Sequence, residues 1–440
     1  MYTNEEKRRA ALAIVTRLAE NGFIALYAGG YVRDMLMGAE EESDIDIATN
    51  ATPKTISELF PQTIGVGEQF GVMVVINRGM PFEVATFRSD IGINDGRHPE
   101  RIVFTDAKTD ALRRDFTING MFYDPVADRI IDHVGGREDL EKHLVRAIGD
   151  PPMRFNEDYL RMLRAIRFAA RFSFMIEHAT WNAVRELSGS IIKVSPERIF
   201  AELDKMIRCK GAGRAIRLLG ESGLLMQVLP EVAVLDKIDQ PPEFHPEGDV
   251  FTHVVNAMDL LPEAPTQVLA WSVLLHDIGK AVTRTVKDRI RFNNHDRAGA
   301  EMASAVLKRL RAPNALIEAV RECVDNHMGW MNVTKMRLST LKRFMSRPTI
   351  NDELELHRID CLASHGDISN YYFVKEQLEK MPAEEIKPEP LINGNDLISL
   401  GLKPGPLFGE ILNEMYDLQL EGKVADREES LAIVKNKWIK

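Results

Sequence analysis

The chain has 440 residues, 45% of them hydrophobic and 28% charged, and a formal net charge of −10 at pH 7. That composition suits several packed cores, at roughly 100–200 residues per domain; the acid excess argues against avid, non-specific nucleic-acid binding, and no DNA partner is expected. No apolar run reaches the roughly 18 residues of a membrane helix, the opening MYTNEEKRRAALAIV lacks a signal-peptide core, and Cys209, Cys323 and Cys361 lack paired spacing, so reduced thiols in a cytoplasmic setting are expected.

Helical periodicity opens the chain, and strand-like runs follow at FIALYAG, DIDIAT, GVMVVI, FEVATF and RIVF, separated by Gly, Pro and Asp turns. With helical stretches such as TPKTISELF between them, residues 1–138 read as an α/β head. Long helical periodicity with almost no strand signal then predicts a helical neck and body over 139–235. Pro241, Pro242 and Pro246 mark a linker, a second helical unit runs over 243–380, and MPAEEIKPEPLINGND breaks it before a helical tail over 381–440. The fold class expected is α+β and multidomain, a mixed-sheet head of about five strands followed by all-helical parts. Monomer and homodimer both stay open.

The segment GGYVRDMLMGAEEESDID closes the first chemical group. In an extended strand, side chains two apart share a face, so Asp44 and Asp46 point together while Ile45 and Ile47 enter a core. Two neighbouring carboxylates repel unless a cation sits between them, and Mg²⁺ suits oxygen ligands shared with substrate phosphates. Gly29 and Gly30 let backbone N–H groups approach an anion, and Arg33 adds a cation beside them. A tight turn before an edge strand is the plainer reading of the same residues.

In LRRDFTIN, Arg113 and Arg114 could grip a triphosphate, Asp115 brace an arginine and Asn119 meet a sugar, although an isolated RRD also reads as a solvated basic turn. Glu83 in FEVATFR could add a third carboxylate, or be a surface strand residue. Residues 154–171 predict one helix on which Asp158, Arg161 and Arg164 are successive neighbours and Arg167 has rotated away. An acid beside an arginine can present an acceptor and paired donors to a base edge; an ordinary surface salt bridge is the alternative.

GG-x-VRD, the DxD pair, FRSDIGINDGRHPERIVF, RRDFTIN, DHVGGREDL, EDYLRMLRAIRF and SPERIFAEL, in that order, resemble the class II tRNA nucleotidyltransferases. These are the CCA-adding enzymes, whose wider family includes bacterial poly(A) polymerases and split CC-adding and A-adding enzymes. The resemblance implies that Asp44 and Asp46 bind catalytic Mg²⁺, that Gly30 and Arg33 contact the triphosphate, and that Arg113 or Arg114 contacts the nucleotide. It implies further that Asp158, Arg161, Arg164 and Arg167 form the base-reading and phosphate-contacting helix. The substrates implied are CTP, ATP and the 3′ end of tRNA. A full-length segment from Arg88 to Glu100 favours complete CCA addition or A-addition over CC-only addition, and Gly120 departs from the family's usual alanine.

Downstream, His253, then His276 and Asp277 in LLHDIGK, His295, His327 and Asp360 form a second group. Imidazole nitrogens with carboxylate oxygens suit a divalent transition metal such as Mn, Ni, Fe or Zn. The arrangement resembles the HD superfamily of metal-dependent phosphohydrolases. That resemblance implies one ion on His253, His276, Asp277 and Asp360, with His295 and His327 completing a second, and hydrolysis of phosphoesters such as 2′,3′-cyclic phosphates. A phosphohydrolase whose head only binds nucleotide is the competing function, and hydrogen-bonded core histidines are the competing structural reading.

Overall fold

The computed structural model describes all residues except 1, 40–43, 68–69, 94–98, 241–247, 287 and 440. The chain divides into two compact units, Met1–Pro230 and Glu231–Lys440.

In the first unit a seven-stranded sheet has the order β3-β4-β5-β2-β1-β8-β9. Its strands are β1 (Ala25–Ala28), β2 (Asp46–Thr49), β3 (Thr63–Gly67), β4 (Val72–Asn77), β5 (Met80–Thr86), β8 (Phe122–Asp124) and β9 (Arg129–Ile131). The β2–β5 pair is parallel, and the other neighbours are antiparallel. Of the five expected strand runs four lie in this sheet and RIVF falls outside it, within Pro99–Phe104; the three additional strands are β8 and β9, three residues each and too short to carry a visible alternation, and β3, whose TIGVG sequence is broken by glycines. Strands β6 (Arg88–Ile93) and β7 (Pro99–Phe104) pair as a separate hairpin; the centre of the Arg88–Glu100 segment, 94–98, lies outside the described residues.

The helix Asn4–Glu20 begins with a Thr3–Glu6 capping box and buries Ala10, Ala11, Ile14, Val15 and Leu18. Gly29 ends β1 at φ +67°, and a Cβ there would stand 3.0 Å from Arg114 Nη1, so glycine both permits the turn and lets the guanidinium approach. At Gly120 an added Cβ would meet Val134 Cγ2 at 2.7 Å and Ile148 Cδ1 at 3.0 Å. Glycine at 120 is thus a matter of packing in this chain.

The expected single helix over 154–171 is two helices. Pro151–Glu157 ends at Asp158, which lies at φ −155° and ψ 103°, and Leu160–Phe172 follows. Asp158 Oδ1 accepts from the Leu160 N–H at 3.1 Å, the local side-chain bond by which aspartate competes with helix continuation. Pro196–Ile207 and Ala212–Ser222 pack beside them.

Among its described residues the second unit is mainly helical, with a short hairpin of Arg284–Val286 with Ile290–Phe292. Trp271 and Trp330 are buried in it. The prolines at 241, 242 and 246 lie outside the described residues.

Candidate active site

In the first unit a cavity of about 560 Å³ gathers residues from five segments. Gly29, Gly30 and Arg33 come from the turn after β1, Asp46 from β2, and Arg113, Arg114, Asp115 and Asn119 from the RRDFTIN run. Asp158, Arg161, Arg164, Arg167, Phe168 and Arg171 come from the broken helix, and Arg198 from SPERIF. Guanidinium groups outnumber carboxylates, which suits a polyanion.

Asp44 and Asp46 share the exposed face while Ile45 and Ile47 are buried, as period-2 alternation predicts, although the strand itself begins only at Asp46. Ile47 pairs in parallel with Val84, so Glu83 stands beside Asp46 on the same face. Crowding by the surrounding protein, then the charge of Glu83, then that of Asp44 push the Asp46 carboxyl up to about 6. The Asp44 side chain is 96% exposed and meets Lys7 Nζ at 2.8 Å. An all-oxygen group of like charges, open to solvent, fits Mg²⁺ by donor type.

A buried chain of polar contacts joins the glycine turn to the helix. Arg33 Nε donates to Asp34 at 2.7 Å and Nη1 to Asn119 Oδ1 at 2.5 Å; Asn119 Nδ2 donates to Asp115 at 3.1 Å. Arg164 then donates to Asp115 Oδ2 at 2.8 and 2.5 Å. Burial pulls the Arg33 guanidinium down, whereas the Asp115 charge pushes Arg164 up. Burial would raise the Asp115 carboxyl, but Arg164 outweighs it and holds it low. The Arg33 guanidinium also lies 4.6 Å from the Phe172 ring centroid.

Arg113 and Arg114 share buried Asp110, at 2.7 and 3.0 Å. Asp158 and Arg161 both line the cavity but do not pair with each other. Because the helix breaks between them, Arg161 donates to Glu157 at 2.8 Å and Asp158 accepts from Arg198 at 2.7 Å. Arg167 is buried against Glu202.

In the second unit His253, His276, Asp277, His295 and His327 are all buried and converge. Asp277 lies between two halves: Oδ2 is 3.4 Å from His276 and 3.8 Å from His253, and Oδ1 is 3.5 Å from His295 and 4.0 Å from His327. Asp360 joins the first half at 3.1 Å from His253 Nε2. Nδ1 of His276, His295 and His327 faces the carbonyl of Val273, Phe292 and Val324 at 2.9, 2.8 and 2.5 Å, so each Nδ1 carries the proton and Nε2 turns its lone pair inward. Nε2 atoms of His295 and His327 then stand 3.2 Å apart, a repulsive pair until a cation lies between them. Burial and the neighbouring imidazoles of His276 and His295 push His327 down to about 4, which keeps it neutral and able to ligate. Burial would raise Asp277, but Lys280 and the imidazoles hold it well below the usual carboxylate range. The donor set fits divalent transition metal by type, and Asp277 offers one oxygen to each half. Gly279 is required there, because a Cβ would stand 2.1 Å from the His295 carbonyl oxygen.

Family models match three stretches: a poly(A) polymerase head domain over 25–146, the probable RNA and SrmB-binding site of polymerase A over 173–235, and an HD domain over 250–364. The CCA-adding enzyme of Bacillus pumilus (strain SAFR-032) is 36% identical over 290 residues, 65% of this chain and 70% of the relative. That of Geobacillus thermodenitrificans (strain NG80-2) is 30% identical over 425 residues, covering 96% and 95%. The chain belongs to the CCA-adding enzyme family.

As a CCA-adding enzyme it is a nucleotidyltransferase, and both its head and its HD domain belong to families that point to divalent metals. Its fold is that of the Bacillus stearothermophilus CCA-adding enzyme solved with CTP, at TM-score 0.74 and 24% identity over 98% of this chain and 97% of that one. The Thermotoga maritima enzyme solved with tRNA superposes at TM-score 0.59 and 22% identity, covering 99% and 96%. No helix among the described residues is long and apolar enough to cross a membrane.

Sequence reading did not single out Arg198, Asp110 or Glu202. Asp110 was open to discovery, since it lies three and four residues before Arg113 and Arg114 on a helix. Arg198 and Glu202 were not, because their partners lie 40 and 35 residues away.

Proposed function

We propose that this chain builds the 3′-terminal CCA of tRNA from CTP and ATP without a nucleic-acid template and releases pyrophosphate. The observation that carries this reading is one cavity holding Asp46 together with Asp158, Arg161 and Arg164. In it Asp44, Asp46 and Glu83 would hold Mg²⁺, which when bound would supply charge neutralisation at the α-phosphate and a lowered pKa for the attacking 3′-hydroxyl. Bond formation from that oxygen to the α-phosphorus accompanies cleavage to pyrophosphate. Arg171, which has no carboxylate partner among the described residues, and the Asp110-bound pair Arg113 and Arg114 bind the triphosphate. Arg33 and Asn119 fix the glycine turn beneath it.

Asp158 accepts from the exocyclic amine of cytosine or adenine, while Arg161 donates to the ring nitrogen and, for cytosine, the carbonyl. Arg198 holds Asp158 in place, and Asp115 holds Arg164. Functionally, the head (1–138), the selecting neck and body (139–235), the HD domain (243–380) and the tail (381–440) divide this work. In the HD domain His253, His276, Asp277 and Asp360 with His295 and His327 hold two ions for phosphoester hydrolysis, a second activity favoured by the bridging place of Asp277.

Three tRNA transcripts, ending before CCA, after one C and after CC, test the first reading when each is incubated with CTP and ATP and its 3′ end sequenced. Completion of CCA on all three is expected. A long adenosine tract would make the chain a poly(A) polymerase, extension from the CC end alone an A-adding enzyme, and arrest at CC a CC-adding enzyme.

A further inference from the structure

Phe168 and Phe172 stand one turn apart on the helix Leu160–Phe172, their rings nearly parallel, with 6° between planes and 6.1 Å between centroids. Four guanidinium groups surround them. Arg33 lies 5.3 Å from the Phe168 centroid and 4.6 Å from that of Phe172. Arg164 and Arg167 lie 5.3 and 4.3 Å from Phe168, and Arg171 lies 5.2 Å from Phe172. Each falls within the reach of a cation–π contact, about 6 Å.

Three of the four also meet a carboxylate: Asp34 for Arg33, Asp115 for Arg164 and Glu202 for Arg167. Arg171 meets none among the described residues, and it lines the cavity. Burial first, and then the Arg171 charge, pull the Arg33 guanidinium down against the opposing effect of Asp34, so the two cations repel. Arg33 cannot give way, because Asp34 and Asn119 bond it in place. The repulsion therefore acts on Arg171, and the Phe172 ring stands against both cations. An aromatic face attracts a guanidinium without cancelling its charge. A carboxylate in the same place would neutralise the cation on which polyanion binding depends.

We propose that Phe172 is a positioning residue of the nucleotide site: its ring keeps the Arg171 guanidinium in the cavity, unneutralised, for the phosphates of the incoming nucleotide. Phe172 is not among the residues that line the cavity, so it acts through Arg171 and not by touching substrate. The proposal rests on the reading of that cavity as the nucleotide site given above.

The test is calorimetric titration of the full chain with CTP, ATP and inorganic tripolyphosphate, each with Mg²⁺, alongside the kinetics of CTP addition to a tRNA ending before CCA. Phe172→Leu keeps an apolar side chain and removes the aromatic face. All three ligands, including the one without a base, are expected to bind about fivefold or more weakly, while kcat at saturating CTP stays within about twofold of wild type. Phe172→Met repeats the measurement with a second aliphatic replacement, and Phe172→Tyr, which keeps the face, is expected to bind as wild type does. Arg171→Met is expected to lose at least as much as Phe172→Leu, and the double substitution no more than Arg171→Met alone, because the ring then has nothing left to position. Losses that add in the double substitution overturn the proposal, as does wild-type affinity in both aliphatic variants. A loss for CTP and ATP with none for tripolyphosphate also overturns it, and so does equal weakening in Phe172→Tyr and Phe172→Leu, which would assign the ring to packing. A wild-type chain that binds none of the three ligands overturns the nucleotide reading of the cavity as well.

Discussion

The head and the HD domain each gather carboxylates whose donor types fit divalent ions, and they do so in opposite ways. In the head the Asp44 carboxylate is almost wholly in water and meets Lys7, and Asp46 and Glu83 lie on the exposed face of neighbouring strands. In the HD domain the four histidines and Asp277 are buried, and the rings of His276, His295 and His327 face backbone carbonyls three residues earlier. An open oxygen site leaves most of the coordination shell to water and to the phosphates of an incoming nucleotide. A closed imidazole cage supplies the shell itself. On the function proposed above, the first suits ions that arrive with substrate and the second ions that stay.

The largest effect that would break this comparison concerns Asp46. Losing a carboxylate ligand of a catalytic ion removes several kcal/mol of transition-state stabilisation, so Asp46→Ala is expected to slow nucleotide incorporation at least about 1,000-fold in a primer-extension assay. Incorporation at full rate would remove the head from the account. Next, Asp158→Ala is expected to lower discrimination of CTP against UTP by about tenfold or more, read as the ratio of their kcat/KM values. Arg198→Met, which leaves Asp158 present but unanchored, is expected to give a smaller loss in the same ratio; an equal or larger loss would show that Arg198 itself touches the base.

In the HD domain, His295→Ala is expected to reduce tightly bound transition metal from two ions to one per chain, measured by elemental analysis. Loss of both ions would mean that the two halves of the cage are one site.

The smallest expected effect is in the head's acid stability. Burial would raise Asp110, but Arg114 and Arg113 outweigh it and hold its pKa below that of an unfolded aspartate, about 3.9. Its contribution is therefore present above that value and is lost as pH falls through the lowered folded value. Asp110→Asn is expected to lower the melting temperature at pH 7, with the gap from wild type closing at low pH. A gap that stayed constant would assign the loss to packing.

Much of both sites was legible because local periodicity carries it. The alternation of Asp44, Ile45, Asp46 and Ile47 set the carboxylates on one face without knowledge of the sheet. Adjacent His276 and Asp277, followed by glycine and lysine, marked the cage. What could not be read was partnership across the fold. Asp158 and Arg161 have the spacing of a helical pair, yet an aspartate that bonds the backbone two residues ahead ends the helix and turns to Arg198 instead. Arg167 reads as a further cation on the same helix, and only the fold shows it buried against Glu202. The sheet was underestimated for a related reason: β8 and β9 are held by pairing to β1 and to each other rather than by a pattern of their own.

Mn²⁺ binding to the dialysed full chain, followed by electron paramagnetic resonance with and without CTP, tests the contrast between the sites most directly. Two classes of ion are expected, one bound regardless of nucleotide and one appearing only with CTP. Asp46→Ala should abolish the nucleotide-dependent class alone, and Asp277→Asn the nucleotide-independent class alone. Either substitution removing both classes, or neither, would contradict the account.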